Sequence, residues 1–387
     1  MREAALKRTE LIMSGSASRM ERLASRLGES VLFGITSMSL LAIFFIFYFI
    51  ARDALPFFEA EGFGEFFLSE NWYPAGHPAS FGAKAIFFGS FLVTGGAILV
   101  AVPMGIGAAV CLSDILPFGV RQIAKPVVEM LASIPSVAYG FFALVVLAPQ
   151  LQEGGGHMLS VALWIVGIPF VLTASLLTGG WFASVLPGQS DTAKARISLV
   201  VGGVLLTLLV LALVWASSRL AGLQINSGAN ALNVSIILGI MAFPTVVSVS
   251  EDALQAVGRE LREASYGLGA TRAETILRVV IPAAASGICA AIILGIMRAV
   301  GETMVVWMAS GNAAHIPEPW YDVTQPIRTL TATIAGEMGE ADQMTGSSRF
   351  HVLFAQALSL LVISFACNVL SEWIIKYNRR RLKGEVG

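Results

Sequence analysis

Two charged side chains stand inside one of the most apolar stretches of the chain, AAIILGIMRAVGETMVVWMA at residues 290–309. Arg298 and Glu302 are four residues apart, so a continuous helix places both on one face, where they can pair. An arginine offers five N–H donors in a fixed plane and stays charged at every working pH, which suits it to bind a tetrahedral oxyanion. Glu302 would hold Arg298 in place or accept a proton from the anion. The alternative is a buried ion pair that only fixes helix packing.

A second polar group interrupts another apolar run and reads Ser133-Ile134-Pro135-Ser136. Pro135 removes a backbone donor, which frees a carbonyl group and predicts a kink. Ser133 and Ser136 can satisfy the freed groups or present their hydroxyls to a pathway across the membrane. A kink that serves packing alone is the alternative.

Composition places these residues in an integral membrane protein. Of the 387 residues, 56% are hydrophobic and 13% charged, whereas soluble domains carry about 25% charged residues. The three cysteines and four histidines lack the spacing of a disulfide framework or a metal site. No Gly-x-x-x-x-Gly-Lys-Ser/Thr phosphate loop occurs, so we expect no cofactor on this chain, and another chain must bind any ATP. Nucleic-acid binding is not expected from so short a basic tail.

Eight segments approach the roughly 20 apolar residues that a spanning helix needs. With the N-terminus inside, nineteen of the 25 Lys and Arg residues fall in inside segments and five in outside loops, so both termini are predicted to be cytoplasmic. Segment 1–30 precedes a signal anchor at the first span, and 376–387 is a basic cytoplasmic tail beside anionic lipid. The predicted spans are 31–50, 85–111, 127–148, 159–179, 198–217, 230–250, 283–308 and 352–375.

Two of these spans form a separable pair within the transmembrane domain, which we place at 85–375. They enclose a short loop with Lys194 and Arg196, so removing 155–225 leaves six spans without inverting any other segment. We interpret 155–225 as an inserted helical hairpin. The alternative is that the two runs are re-entrant or lie along the bilayer, against which their lengths argue.

The polar stretch 251–282 separates two long apolar runs and carries apolar residues at helical spacing. Gly267 and Gly269 interrupt that pattern, and Thr271 with Glu274 forms a capping-box pair that starts a new helix. The pattern predicts a helix, a sharp turn and a second helix on the cytoplasmic face, a shape suited to receive force from a partner.

The same stretch resembles the loop shared by permease subunits of ATP-binding-cassette importers. That loop reads Glu-Ala-Ala, three residues, Gly, nine residues, then Ile-x-Leu-Pro. Here Glu263, Ala264, Ser265, Gly269 and Pro282 keep its spacing, with Ser265 in place of the second Ala. The resemblance implies that these residues dock into a groove on an ATPase subunit. An ordinary amphipathic cytoplasmic loop is the alternative.

A longer string, Arg298-Ala-Val-Gly-Glu-Thr-Met followed by Gly311-Asn312, resembles the C-type permease subunit of phosphate importers. The stretches 72–74, 88–94 and 133–140 resemble the same subunit. The resemblance implies an all-α integral membrane protein, with a type I importer core of six spans to which the hairpin adds two. It implies a substrate pathway that includes Arg298, Glu302, Thr303, Ser133 and Ser136.

The resemblance also implies partners in the bilayer of the bacterial cytoplasmic membrane. They are a second, A-type permease, an ATPase dimer that holds ATP and Mg, and an external phosphate-binding protein. Two other functions stay open. One is a permease for sulfate, molybdate or tungstate, whose families share the docking loop. The other is a non-transporting membrane enzyme or signalling scaffold, which would need a convergent catalytic set that the sequence does not offer beyond Arg298 and Glu302.

Overall fold

The computed structural model describes residues 15–185, 191–340 and 347–382. Residues 1–14 of the predicted N-terminal segment and 383–387 of the basic tail therefore lie outside the described residues. A two-stranded antiparallel sheet, β1 (Trp72–Tyr73) and β2 (Ser80–Phe81), accompanies the helices. The helices are α1 (Gly15–Leu68), α2 (Lys84–Val110), α3 (Phe118–Ser133), α4 (Ser136–Phe142), α5 (Ala148–Val185), α6 (Asp191–Ala221), α7 (Ala231–Gln255), α8 (Arg259–Gly267), α9 (Arg272–Thr275), α10 (Ile281–Val300), α11 (Met304–Ala309), α12 (Leu330–Glu337) and α13 (Ser348–Leu382).

Three π-helical turns extend or connect these helices: the first ends at the extended residues Leu116 and Pro117, and the other two each join two helices directly. They are Cys111–Ile115 after α2, Ala143–Leu147 between α4 and α5, and Ile276–Val280 between α9 and α10. In the second turn the Ala143 carbonyl oxygen accepts twice, from the Ala148 N–H of the turn and from the buried Asn233 amide over 3.0 Å.

Six of the described helices are long and apolar enough to cross a bilayer, and a seventh candidate is the pair 118–133 and 136–169, bent by 86°. The predicted all-helical membrane architecture is confirmed. The sequence predicts two spans, 127–148 and 159–179, joined by a connection at 149–158. In the structure this connection is helical apart from a kink at Gly154, so both predicted spans belong to the bent pair and to the rest of α5. The count of eight spans and the cytoplasmic side of the termini stay predictions.

The centre of the bundle is the contact between α2 and α7, on which α10 also packs. A Cβ placed on Gly96 would collide with the Ser235 hydroxyl group, and one on Gly239 would come within 2.7 Å of the Val100 side chain. In a bilayer, where apolar surfaces gain little by leaving lipid, close approach of backbones over small residues is a main source of helix association. These glycines therefore set the distance between the two central helices.

Helices α5 and α6 form an antiparallel pair that packs mainly on itself. Its polar contacts are internal: the Ser160 and Ser217 hydroxyl groups are 2.7 Å apart, and the Trp164 indole N–H donates to Ser217 over 2.9 Å. The helical character of the predicted hairpin is thus visible in the described residues, while its status as an insertion stays a prediction.

A buried ion cluster attaches α3 to the last turn of α7. Glu251, only 1% exposed, receives Arg121 Nη2 at 2.8 Å and Lys125 Nζ at 3.1 Å. Gln255 donates to the same carboxylate over 2.6 Å. Since α3 has no buried residue of its own, these charged contacts fix its position relative to α7.

Substitution of Gly96 by Val is predicted to lower the free energy of unfolding by about 1–3 kcal/mol, because the new side chain overpacks the contact between α2 and α7. Gly95 is the matched control, since it lies in the same helix and a Cβ there would meet nothing within 4 Å. Thermal unfolding of the purified variants would measure the difference. Equal losses in Gly95→Val and Gly96→Val would show that the effect comes from helix propensity alone.

Candidate functional site

Arg298 lies in the last turn of α10, half-buried. Its Nε is buried and has no hydrogen-bond partner among the described residues. Its charge interacts with the Tyr139 phenol, one helical turn after Ser136. This N–H is therefore a donor that the described residues do not use, and a charged side chain within an apolar span is expected to face a pathway or a neighbouring chain.

The expected pairing of Glu302 with Arg298 is wrong. Helix α10 ends at Val300, so Glu302 is no longer on the helical face of Arg298. Its Oε1 instead accepts from the backbone N–H groups of Met304 over 3.1 Å and Val305 over 3.3 Å. These are unpaired donors at the start of α11, and a carboxylate is a strong acceptor for them. Glu302 thus caps a second, short helix in place of an ion pair.

The predicted span 283–308 is therefore broken at 301–303. Thr331 stabilises the break, since its hydroxyl donates to the carbonyl oxygen of Glu302 over 2.7 Å. Thr303 lies at the break itself, half-buried, and its carbonyl oxygen accepts from Trp307 N–H over 2.9 Å. An early end of the helix was not foreseeable from the apolar pattern, which continues through α11.

The kink predicted at Pro135 is confirmed as a full break between α3 and α4. Ile134 and Pro135 are extended, with ψ of 127° and 140°. The Ser133 hydroxyl donates to the Met130 carbonyl oxygen over 2.7 Å, while Ser136 is half-buried in the first turn of α4. Sequence reasoning missed Tyr139, whose hydroxyl donates across the break to the Leu131 carbonyl oxygen over 2.9 Å.

The two breaks lie beside each other because α4 packs on α11. A Cβ on Gly140 would come within 3.2 Å of the Met304 carbonyl oxygen and 3.3 Å of the Val305 Cα. Irregular backbone within a bilayer is tolerated where it is buried in protein or lines an aqueous cavity. The structure thus gathers the breaks that carry Ser136 and Thr303 in one region of the bundle, and Arg298 lies in the last helical turn before the second break.

The predicted helix, turn and helix of 251–282 are also confirmed, as α8 and α9. Gly269 adopts φ of +85°, a left-handed conformation that favours glycine. Thr271 and Glu274 form the full capping box, with Thr271 N–H donating to Glu274 Oε2 over 3.0 Å. The Ser265 and Thr275 hydroxyl groups are 2.9 Å apart and buried. Ser265 therefore joins the two helices, and its side chain does not lie on the outer surface.

The outer surface of this loop is formed by Glu263, Ala264 and Pro282, all exposed, together with apolar side chains. Leu268 is 91% exposed and Leu277 61%. Exposed apolar side chains beside charged ones are typical of a protein interface.

The loop is fixed to the bundle from the other side. Arg262 donates to the Leu254 carbonyl oxygen over 2.8 Å and lies 3.3 Å from Asp114, and Arg272 donates to the Asp114 carbonyl oxygen. These contacts tie the loop to the last turn of α7 and to the π-helical turn that follows α2. The sequence analysis also did not predict the Glu251 cluster. The one sequence feature that points to it is a carboxylate at the border between an apolar run and a polar one.

Among the described residues, no group of three or more His, Cys, Asp and Glu side chains is placed to hold a metal ion.

Known proteins resemble this chain over most of its length. Residues 197–384 match the family described as "Binding-protein-dependent transport system inner membrane component". A probable ABC transporter permease protein of Bacillus subtilis is 31% identical over 314 residues, which are 80% of this chain and 77% of that protein. A phosphate transport system permease protein of Mesorhizobium japonicum is 32% identical over 312 residues, again 80% and 77%. One of Pasteurella multocida is 28% identical over 328 residues, 83% and 86%.

The family match at residues 197–384 covers α7, the loop of α8 and α9 and the break at 301–303, whereas the break at Pro135 lies outside it. A multi-pass location in the bacterial cytoplasmic membrane agrees with the family description and with the apolar helices. The chain belongs to the family of binding-protein-dependent transport system inner membrane components, the permease subunits of ABC transporters.

Proposed function

We propose that this chain is a permease subunit of an ATP-driven importer that moves inorganic phosphate into the cell. The observation that carries the proposal is Arg298, which lies in the last turn before the break at 301–303 and whose buried Nε has no hydrogen-bond partner among the described residues. Relatives named as phosphate transport permeases support the choice of substrate. A guanidinium presents several donors to the oxygens of a tetrahedral anion while keeping its charge.

Ser136 and Thr303 would complete the substrate pathway with hydroxyl groups, and Ser133 lies on the exposed end of α3. The role of Glu302 differs from the pairing with Arg298 that the sequence favoured. Because it caps α11, it fixes the backbone of the break and places a negative charge near Arg298, which opposes permanent occupation by an anion. Weak, reversible binding is what transport requires.

The proposed complex contains a second, A-type permease, an ATPase dimer that binds ATP and Mg, and an external phosphate-binding protein. The exposed surface around Glu263, Ala264, Gly269 and Pro282 would dock on the ATPase. Coupling would run from this loop to the end of α7, through the Glu251 cluster to α3, and so to the break at Pro135. Closure of the ATPases would move α3 relative to α7 and open the pathway outward.

Replacement of Arg298 by Ala is predicted to abolish phosphate uptake, because the anion loses its charged donor. Labelled-phosphate uptake would be measured in phosphate-starved cells that lack this gene and carry the wild type, Arg298→Ala or Arg298→Lys. Lys keeps the charge but loses the planar set of donors, so we expect partial uptake.

Co-purification with the partner subunits would verify that the Arg298→Ala complex assembles. Normal uptake by this variant would reduce Arg298 to a packing residue. If excess sulfate, molybdate or tungstate suppressed wild-type uptake, the permease function would stand with another oxyanion as substrate.

Gly269→Ala is predicted to lower the amount of phosphate moved per ATP hydrolysed, because an alanine at φ of +85° costs about 1–2 kcal/mol and distorts the turn between α8 and α9. Glu263→Ala should have the same effect through the docking surface itself. Transport and ATP hydrolysis would be measured together in proteoliposomes. Gly267→Ala is the control, since Gly267 is helical and a Cβ there meets nothing within 4 Å. An unchanged ratio in both test variants would remove this loop from the coupling path.

A further inference from the structure

An apolar groove of about 530 Å³ lies between one end of α1, the first turns of α2 and the middle of α13. The wall is mainly aromatic, and α13 contributes aliphatic side chains such as Val362. Lys84, the first residue of α2, stands at its rim. The aromatic residues are Phe58, Phe63, Phe67, Phe87 and Phe91.

The wall is preformed by the shape of α1. Gly62, at φ of +83°, bends the helix and brings Phe63 against Phe58, with ring centroids 4.3 Å apart and planes within 10°. The Phe67 ring is nearly parallel to that of Phe58, 7° apart, and stacks on Phe87 at 5.5 Å. Rings in these orientations give a flat and rigid surface, which accommodates an extended hydrocarbon chain.

In α2 and α13 the groove lies near the outer ends of the predicted spans 85–111 and 352–375, which corresponds to the outer part of a bilayer leaflet, and α1 contributes residues that follow its predicted span 31–50. Its three lining helices are all candidate spans. With a rise of about 1.5 Å per residue, Phe87 and Phe91 lie roughly 5 and 10 Å deeper than Lys84. Lys84 is thus at the depth of a lipid head group and the rings are at the depth of the first acyl carbons.

Apolar contact alone would give this groove little selectivity, because lipid tails are about as apolar as the side chains that they touch. Selectivity must come from the rim: Lys84 is the charged residue of the lining, and its Nζ pairs at 2.7 Å with Oε1 of Glu70, which lies just outside the lining. The two side chains stay 47% and 55% exposed, so both can accept a further contact. The rim therefore presents one positive and one negative group side by side.

We propose that the groove is a binding site for a zwitterionic phospholipid with a primary ammonium group, such as phosphatidylethanolamine. One acyl chain lies along the phenylalanine wall. Lys84 contacts the lipid phosphate and Glu70 contacts the ammonium group, so that each charge of the rim meets its opposite. A lipid with a net negative head group would satisfy Lys84 but would bring no cation to Glu70.

A helix of a partner subunit fits this surface less well. Packed protein over the rim would remove both Lys84 and Glu70 from water without a matching pair of charges, which is unfavourable for ions. The site depends only on the position of these helices in a membrane, so it is independent of the transported substrate.

The lipid site is tested on the complex purified with its partner subunits, in nanodiscs of phosphatidylcholine with increasing phosphatidylethanolamine or phosphatidylglycerol. Native mass spectrometry would count the lipids retained. We expect one phosphatidylethanolamine to be retained per chain. Lys84→Gln and Glu70→Gln should each lower its retention about tenfold, the effect of losing one charged hydrogen bond. Lys376→Gln is the control, since Lys376 and Glu372 form a similar exposed pair at 3.0 Å away from the groove.

A second pair of variants tests the acyl-chain part. Ser359→Phe places a ring in the groove and should displace the lipid while leaving the rim intact. Leu99→Phe places the same ring at an exposed position of α2 outside the groove and should leave retention unchanged. Equal retention of all three lipids, equal losses in the test and control variants, or cross-linking of a partner protein to Phe91 would each overturn the proposal.

Discussion

A bilayer offers no water to the backbone, so each break in a spanning helix must find other partners for the N–H and C=O groups that it frees. This constraint organises the centre of the molecule. The break at 301–303 is satisfied by the Glu302 carboxylate and the Thr331 hydroxyl, and the break at Pro135 is bridged by Tyr139. Because the partners come from this chain itself, the irregular backbone is held in place, and Arg298 beside it keeps an unpartnered donor.

The same logic separates side chains that build the site from those that could act in it. Glu302 and Tyr139 use their polar atoms in hydrogen bonds to backbone groups, whereas Nε of Arg298 has no partner among the described residues. Ser265 in the loop of α8 and α9 is likewise structural, since its hydroxyl joins the two helices, while Glu263 and Ala264 remain on the surface. Matching a residue to a family motif therefore does not decide whether it contacts a partner or holds the residue that does.

The sequence was sufficient for features that depend on local chemistry. Apolar runs of spanning length marked the helices, Pro135 marked a break, and Thr271 with Glu274 marked the start of α9. The sequence was not sufficient where the partner of a side chain or the end of a helix depended on residues far away along the chain. Glu302 had two possible partners at similar spacing, and the end of α10 was decided by the cap that Thr331 supports from 29 residues away. The helical structure of residues 149–158 was not predicted, because their sequence does not favour a helix by itself and they are helical as part of α5.

Helices α5 and α6 contact the rest of the described chain mainly at one end of the pair, near the start of α5 and the end of α6. There a Cβ on Gly155 would collide with Ile225 of the central core. The internal contacts of the pair, among Ser160, Trp164 and Ser217, do not depend on the core. A unit joined in this way opens and closes with its own free energy. Unfolding of the chain is then not a single two-state event, and the hairpin would exchange its amide hydrogens at a rate unrelated to that of α2 and α7.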